Sequence, residues 1–222
     1  MVLGLLERNP RNTRYADIGS GDLYFAQRLS ELTDGPVYAV DVNYGTPGND
    51  GPIRICTVLE QVPAGSVDCA VLMDVLEHVG DDVGLLEATR RTLTRSGQVL
   101  VTVPAHAFLW SEHDVFLGHH RRYDRKGLRD VLNRGGFDAI ETFYFYAVPF
   151  VARAIMVALA RAGIGGPKGG AVAAWRYPLE HPLTRAVRAT LNGDFKLSRL
   201  LGESAFSGCG LSICAICRRT SA

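Results

Sequence analysis

From the first dozen residues onward, short apolar and β-branched runs alternate with segments of helical periodicity, an order that commits a chain to a parallel sheet with crossover helices. Five runs read as successive strands: RYADIG, PVYAVD, PIRICTVL, SVDCAVLMD and QVLVTVP. After the first, Phe25, Leu29 and Leu32 fall at helical spacing with Asp22 placed as a cap. After the fourth, GDDVGLLEATRRTLTRSG carries Asp81 and Asp82 at its start, Arg90, Arg91 and Arg95 toward its end, and Gly97 as a stop, charges that suit the helix dipole. DRKGLRDVLNRGG predicts a further helix, with Asp124 as its cap, Leu128, Val131 and Leu132 on its buried face, and Gly135 or Gly136 ending it. Between Asp41 and Ile53, Gly45, Pro47, Gly48 and Gly51 leave room only for a loop.

Toward the end, AIETFYFY and GLSICAICRR predict an antiparallel hairpin, and the segment between them predicts a helical insertion. The expected architecture is a single α/β domain: a doubly wound, Rossmann-like, mostly parallel sheet of seven strands. Its core spans residues 1–146, a helical insertion or lid residues 147–202, and the last strand region residues 203–222. The glycine-rich stretch GIGGPKGG, residues 163–170, is expected to link two helical pieces.

A length of 222 residues suits one such domain, and 47% hydrophobic with 21% charged residues excludes a disordered or fibrous chain. The net charge of +1 conceals a division: 14 basic and 20 acidic residues precede residue 150, whereas 10 basic and 3 acidic follow. The basic residues of the last third are scattered and form no nucleic-acid recognition motif. Five cysteines and an N-terminal apolar run too short for a secretory signal predict a reducing cytoplasm. Cys214 and Cys217 form a C-x-x-C, yet in a strand they face opposite sides, so no metal or redox pair is expected. Arg153 and Arg161 interrupt the longest apolar stretch and leave it too short to span a bilayer.

Chemistry concentrates first in Asp17-Ile18-Gly19-Ser20-Gly21, a strand running into a glycine turn, followed at the end of the next strand by Asp41. In an open parallel sheet this is a nucleotide site: glycines let backbone N–H groups approach a ligand, and the second carboxylate accepts from both ribose hydroxyls. A dinucleotide site wants a third glycine where this chain has Tyr24, which disfavours NAD.

Taken in order, DIGSGDLYF, VYAVD, VDCAVLMDVLEHV and SGQVLVTVPA resemble the successive motifs of class I S-adenosylmethionine (SAM) dependent methyltransferases, over residues 15–145. The resemblance implies SAM as cofactor, with Asp17, Gly19 and Gly21 around its methionine part, Asp41 at the ribose, Val42 among the cofactor contacts, and Met73 and Asp74 lining the pocket. Relatives commonly carry an acid after the third strand to hold the adenine amine; here Val58 and Leu59 stand there, so backbone and apolar contacts would replace it.

The loop AHAFLWSEHDVFLGHHRRYD gathers His106, Trp110, His113, Asp114, His119, His120, Arg121, Arg122 and Tyr123 at the ligand-binding edge of the sheet. It resembles a W-S-x-H-D…H-x-R-R-Y segment of a bacterial branch of the same family. Histidine titrates near neutrality, so His113, His119 and also His78 are candidate bases for an acceptor losing a proton. Trp110, Arg121, Arg122 and Tyr123 are candidate acceptor contacts, the arginines serving a carboxylate or phosphate or else a salt bridge at the next helix. His113, Asp114 and His119 match no tight ligand spacing such as H-E-x-x-H, and no metal is expected.

The methyl acceptor is expected to be a small molecule, hydrophobic or phosphate-bearing; the alternative is a SAM-binding protein that does not transfer. Residues 147–165 predict an amphipathic helix with Arg153 and Arg161 near one stripe and Phe150, Val151, Ile155, Met156 and Leu159 around the rest. So wide an apolar face predicts that the helix covers the acceptor, rests peripherally on a membrane, or meets a second copy in a homodimer.

Overall fold

Alternating side chains on each strand send neighbours into two cores, so the sheet must be covered on both faces. The computed structural model describes residues 2–163, 178, 181–202 and 208–220. The glycine-rich stretch expected to be a linker lies, beyond Gly163, outside the described residues.

In chain order the elements are α1 (Leu3–Leu6), β1 (Tyr15–Ile18), α2 (Tyr24–Ser30), β2 (Val37–Val40), β3 (Gly48–Asp50), β4 (Ile53–Cys56), β5 (Val67–Met73), α3 (Asp82–Thr92), β6 (Leu93–Pro104), α4 (Glu112–Phe116), α5 (Arg125–Arg134), β7 (Phe137–Phe145), α6 (Ala147–Arg161), α7 (Pro182–Leu201) and β8 (Ser212–Arg219). The eight strands form one sheet in the order β3-β4-β2-β1-β5-β6-β8-β7. From β4 to β6 the pairing is parallel, while β3 pairs antiparallel with β4, and β8 antiparallel with β6 and β7. The chain winds outward from β1 through β2 to β4, then returns to the other side of β1 as β5. That reversal opens a crevice at the C-terminal ends of β1 and β5.

One core holds Ile18, Val40, Leu72, Leu86 of α3 and Leu128 and Leu132 of α5; the other holds Tyr15, Leu29 of α2, Leu100, Phe143 and Phe195 of α7. Cys217 belongs to the first and Cys214 to the second, as a spacing of three in a strand requires. Asp81 caps α3 by accepting from the Gly84 N–H at 2.8 Å, and Asp124 caps α5 by accepting from the Gly127 N–H at 2.6 Å.

The sheet has one strand more than the seven expected. The glycine- and proline-rich segment forms no helix, but its exposed residues Gly48–Asp50 pair with β4 across a two-residue turn in which Gly51 takes φ +57°. Helix α3 also ends at Thr92, short of Gly97, because fully buried Leu93 already pairs with Val67 on β5.

Between β7 and β8 lie α6, which ends at Arg161 and so falls short of the expected residue 165, and α7. No residue of α6's own start caps it: Tyr146 sits in the left-handed region at φ +67°. Instead the Asp194 carboxylate of α7 accepts from the Tyr146 N–H (2.6 Å) and the Ala147 N–H (3.1 Å). Arg199 of α7 in turn makes two bonds, at 2.7 and 2.9 Å, to Glu141 on β7. Asp194→Ala is therefore expected to lower stability by about 1 kcal/mol, the usual worth of an N-cap, read as a reduced urea midpoint at unchanged slope. Val148, Val151, Ile155, Met156 and Leu159 of α6 are exposed. Among the described residues, no helix is long and apolar enough to cross a membrane.

Candidate active site

The glycine turn after β1 is built by close approach. Gly19 has φ +75°, and a Cβ there would lie 2.5 Å from Val75 Cγ2, so neither backbone nor space admits a side chain. The Gly19 N–H donates to the Val40 carbonyl at 2.7 Å, tying the turn to β2. Gly21, also at positive φ, donates its N–H to Asp41 Oδ2 at 2.9 Å, while Asp41 Oδ1 accepts from the backbone and side chain of Asn43. The Asp41 carboxylate is thus oriented beside the turn before any ligand arrives.

Asp17 is 2% exposed, and its Oδ2 has no hydrogen-bond partner. Burial pushes its carboxyl up to about 7, the Ala26 N–H opposing and the charges of Asp41 and Asp22 adding to the rise. A buried, unsatisfied carboxylate oxygen beside a glycine turn suits an ammonium group, and a second carboxylate one strand away suits ribose hydroxyls. These residues fit SAM. At the same sheet edge, Val42 and Val58 are exposed, Leu59 is partly buried, Met73 ends β5, and Asp74 stands at φ +55° with its N–H on the Thr102 carbonyl.

Asp74 also borders a cavity of about 440 Å³ whose lining includes Glu77, His78, His113, His119, Arg122 and Arg153. His78 lies in the 3-10 turn Leu76–His78 directly after β5; partial burial, then the charge of His119, lower its pKa against the opposing pull of Asp74. Its ring meets His119 edge-on with centroids 4.7 Å apart. His119 Nδ1 lies 3.1 Å from Asp114 Oδ1, which also accepts from Arg122 Nε at 2.7 Å, while Asp114 Oδ2 accepts from the Ser111 N–H at 3.0 Å. Asp114 is fully buried; burial raises its pKa, but the bond and charge of Arg122 outweigh it, with His119 and Ser111, and hold the carboxyl below its ordinary range.

The sequence candidates divide. His78, His113, His119 and Arg122 line the cavity, whereas Trp110, Arg121 and Tyr123 do not. Arg121 donates to Asp82 Oδ2 at 2.6 Å and to the Gly80 carbonyl, and the Tyr123 hydroxyl donates to Asp82 Oδ2 at 2.9 Å, so both brace the start of α3. His106 lies outside too, stacked on Tyr144 at 4.9 Å. Sequence reasoning missed Glu77, which is 1% exposed with both carboxylate oxygens unpartnered, its pKa pushed up to about 8 by burial and then by Asp74. It also missed what Arg153 and Arg161 do: they donate to Ser111 Oγ and to the Phe108 carbonyl, fastening α6 to the histidine-bearing loop.

Several solved structures share this fold. An S-adenosylmethionine-dependent methyltransferase from Mesorhizobium loti is 14% identical with a TM-score of 0.59, over 98% of this chain and 96% of that one. A counterpart from Archaeoglobus fulgidus is 16% identical with a TM-score of 0.54, over 98% and 92%. Phosphoethanolamine N-methyltransferase 2 of Haemonchus contortus, in complex with S-adenosyl-L-methionine, is 17% identical with a TM-score of 0.59, over 99% of this chain and 52% of that one. No curated protein matches the sequence significantly. A family model described as a methyltransferase domain matches residues 2–142, well over half the chain. With the fold and the glycine turn, that match makes the chain a member of the class I S-adenosylmethionine-dependent methyltransferases.

Proposed function

We propose that the chain methylates a small acceptor held in the cavity between β5 and the loop after β6. The observation that carries the reading is the double position of Asp74: it directly follows Met73, the last residue of the strand beside the cofactor turn, and borders the histidine-lined cavity. SAM, when bound, supplies an electrophilic methyl group. Asp17, Gly19 and Gly21 hold its methionine part, Asp41 and Val42 the ribose, Val58 and Leu59 flank the adenine, and Met73 and Asp74 separate cofactor from acceptor. The protein's part is alignment of the two reactants and removal of a proton where the acceptor carries one. His78, His113 and His119 are the groups available for that proton, and Asp114 fixes the ring of His119. Arg122 and Arg153 add positive charge to the cavity, which favours a phosphate-bearing acceptor, and helices α6 and α7 act as the lid. Mass spectrometry of a cell extract incubated with the protein and deuterated SAM should reveal a labelled small molecule. SAM binding without any labelled product would favour a non-catalytic SAM-binding protein instead.

Asp41→Ala is expected to weaken SAM binding by about 1–3 kcal/mol, because the ribose hydroxyls lose their acceptor in a partly desolvated site. Calorimetry on the folded variant checks this, and an unchanged affinity would remove Asp41 from the ribose.

A further inference from the structure

Glu77, His78 and His119 bring one ligand atom each to within 4.8 Å of one another. We propose that these three residues bind a single divalent transition-metal ion, with zinc the best match to two imidazoles and one carboxylate.

Three features support it. First, Glu77 is 1% exposed and neither of its oxygens has a partner. A buried carboxylate left so is costly, and a cation beside it is the direct remedy. Second, the His119 imidazole already has an acceptor for its other nitrogen, with Nδ1 3.1 Å from the Asp114 carboxylate. Metal-binding histidines almost always carry such outer partners, which set the tautomer and aim the free nitrogen. Third, the three come from two places, the turn after β5 and the loop after α4, so the fold and not a local motif assembles them. Around a tetrahedral zinc the ligand atoms sit roughly 3.4 Å apart. A pair at the full 4.8 Å must therefore close by about 1.4 Å, which rotation of the exposed His78 side chain supplies.

Three protein ligands leave a fourth position open, as in catalytic zinc sites, and here it opens toward the cavity. This role rests on the methyl-transfer reading: the ion would bind the hydroxyl oxygen of an acceptor and make that hydroxyl more acidic, its proton passing to His113, the cavity histidine outside the cluster. The oxygen lone pair then forms the new bond to the methyl carbon as the carbon–sulfur bond breaks and sulfur keeps its electron pair. The metal site itself does not depend on that role.

The test is titration of EDTA-treated, SAM-free protein with zinc chloride, and with cobalt chloride as a spectroscopic probe. One ion per chain is expected, with visible cobalt bands of low-symmetry coordination. Glu77→Gln should weaken zinc binding on the order of 100-fold, while Cys209→Ser, which removes an exposed thiol, leaves it unchanged. Should Glu77→Gln fail to fold, His78→Ala carries the same expectation from an exposed position. SAM affinity measured on the same variants should stay near that of the wild type. Absence of stoichiometric binding at millimolar zinc, or equal binding by wild type and the ligand variants, overturns the metal site. Stoichiometric zinc with no SAM binding would instead overturn the methyl-transfer reading and leave the metal site standing.

Discussion

Replacing Asp114 by alanine is expected to cost about 3–5 kcal/mol of folding stability, because it leaves a buried cation unpaired. The Arg122 side chain is 7% exposed and its Nε lies 2.7 Å from Asp114 Oδ1, with the Ala105 carbonyl as its one further hydrogen-bond partner among the described residues. The same carboxylate completes the capping box at the start of α4 with Ser111 and orients His119. Asp114→Asn keeps an acceptor for the cap but loses the charge, so its loss should fall between wild type and alanine. Urea denaturation with equal slopes measures both. A loss below about 1 kcal/mol for the alanine variant would mean that Arg122 finds water or another acceptor. The pH dependence has a definite sign. A carboxyl held below its ordinary 3.8 contributes stability that is present above that value and disappears as pH falls through the folded pKa. Wild type should therefore lose more stability than Asp114→Asn in that acid range.

What the sequence disclosed and what it hid divide along one line, the distance over which the causes act. Strands β1, β2, β4, β5 and β6 and the caps Asp81 and Asp124 were legible because periodicity and capping are local. So was the glycine turn, whose residue types are dictated by its own backbone. Strand β3 was hidden because three exposed residues carry no hydrophobic pattern, and the early end of α3 because Leu93 is claimed by a partner 26 residues away. The partners of Arg121 and Tyr123 lie 39 and 41 residues back at Asp82, so no reading of HHRRYD alone could tell a brace from an acceptor contact. Asp194, which caps α6 from another helix, was invisible for the same reason.

The acceptor side shows the effect most clearly. His113, Asp114 and His119 were weighed together because they are close in sequence, yet the fold turns Asp114 away as a buried partner of Arg122 and brings His119 against His78 and Glu77. Likewise the arginines that interrupt the apolar face of α6 appeared as a stripe without a destination. Their bonds to Ser111 and Phe108 give it one and place the helix against the loop that borders the cavity.

SAM binding is expected to strengthen about tenfold per pH unit between pH 5 and 7, some 3 kcal/mol in all, and to level off above. In the ligand-free protein burial raises Asp17 to about 7, so at pH 5 its carboxyl is protonated. In the proposed complex the cofactor's ammonium group faces Oδ2, the oxygen that now lacks a partner, and favours the ionised form. Binding then releases one proton below pH 7, and each unit of acidity weakens it by a factor of ten. The groups facing Asp17 do not cancel this: Asp41 and Asp22 push its pKa up, and the opposing Ala26 N–H is already counted in the value of about 7. Ligand-free stability runs the other way. An acid whose folded pKa is raised favours folding most below its unfolded value of 3.8, and that advantage is lost as pH climbs toward 7. Calorimetry in buffers of different ionisation enthalpy counts the proton directly. Asp17→Asn, which keeps the shape and cannot ionise, should bind weakly and show no slope over the same range. A flat affinity for the wild-type protein from pH 5 to 7 would mean that Asp17 does not meet the ammonium, and the methionine end of the cofactor would have to be placed elsewhere along the edge of β1.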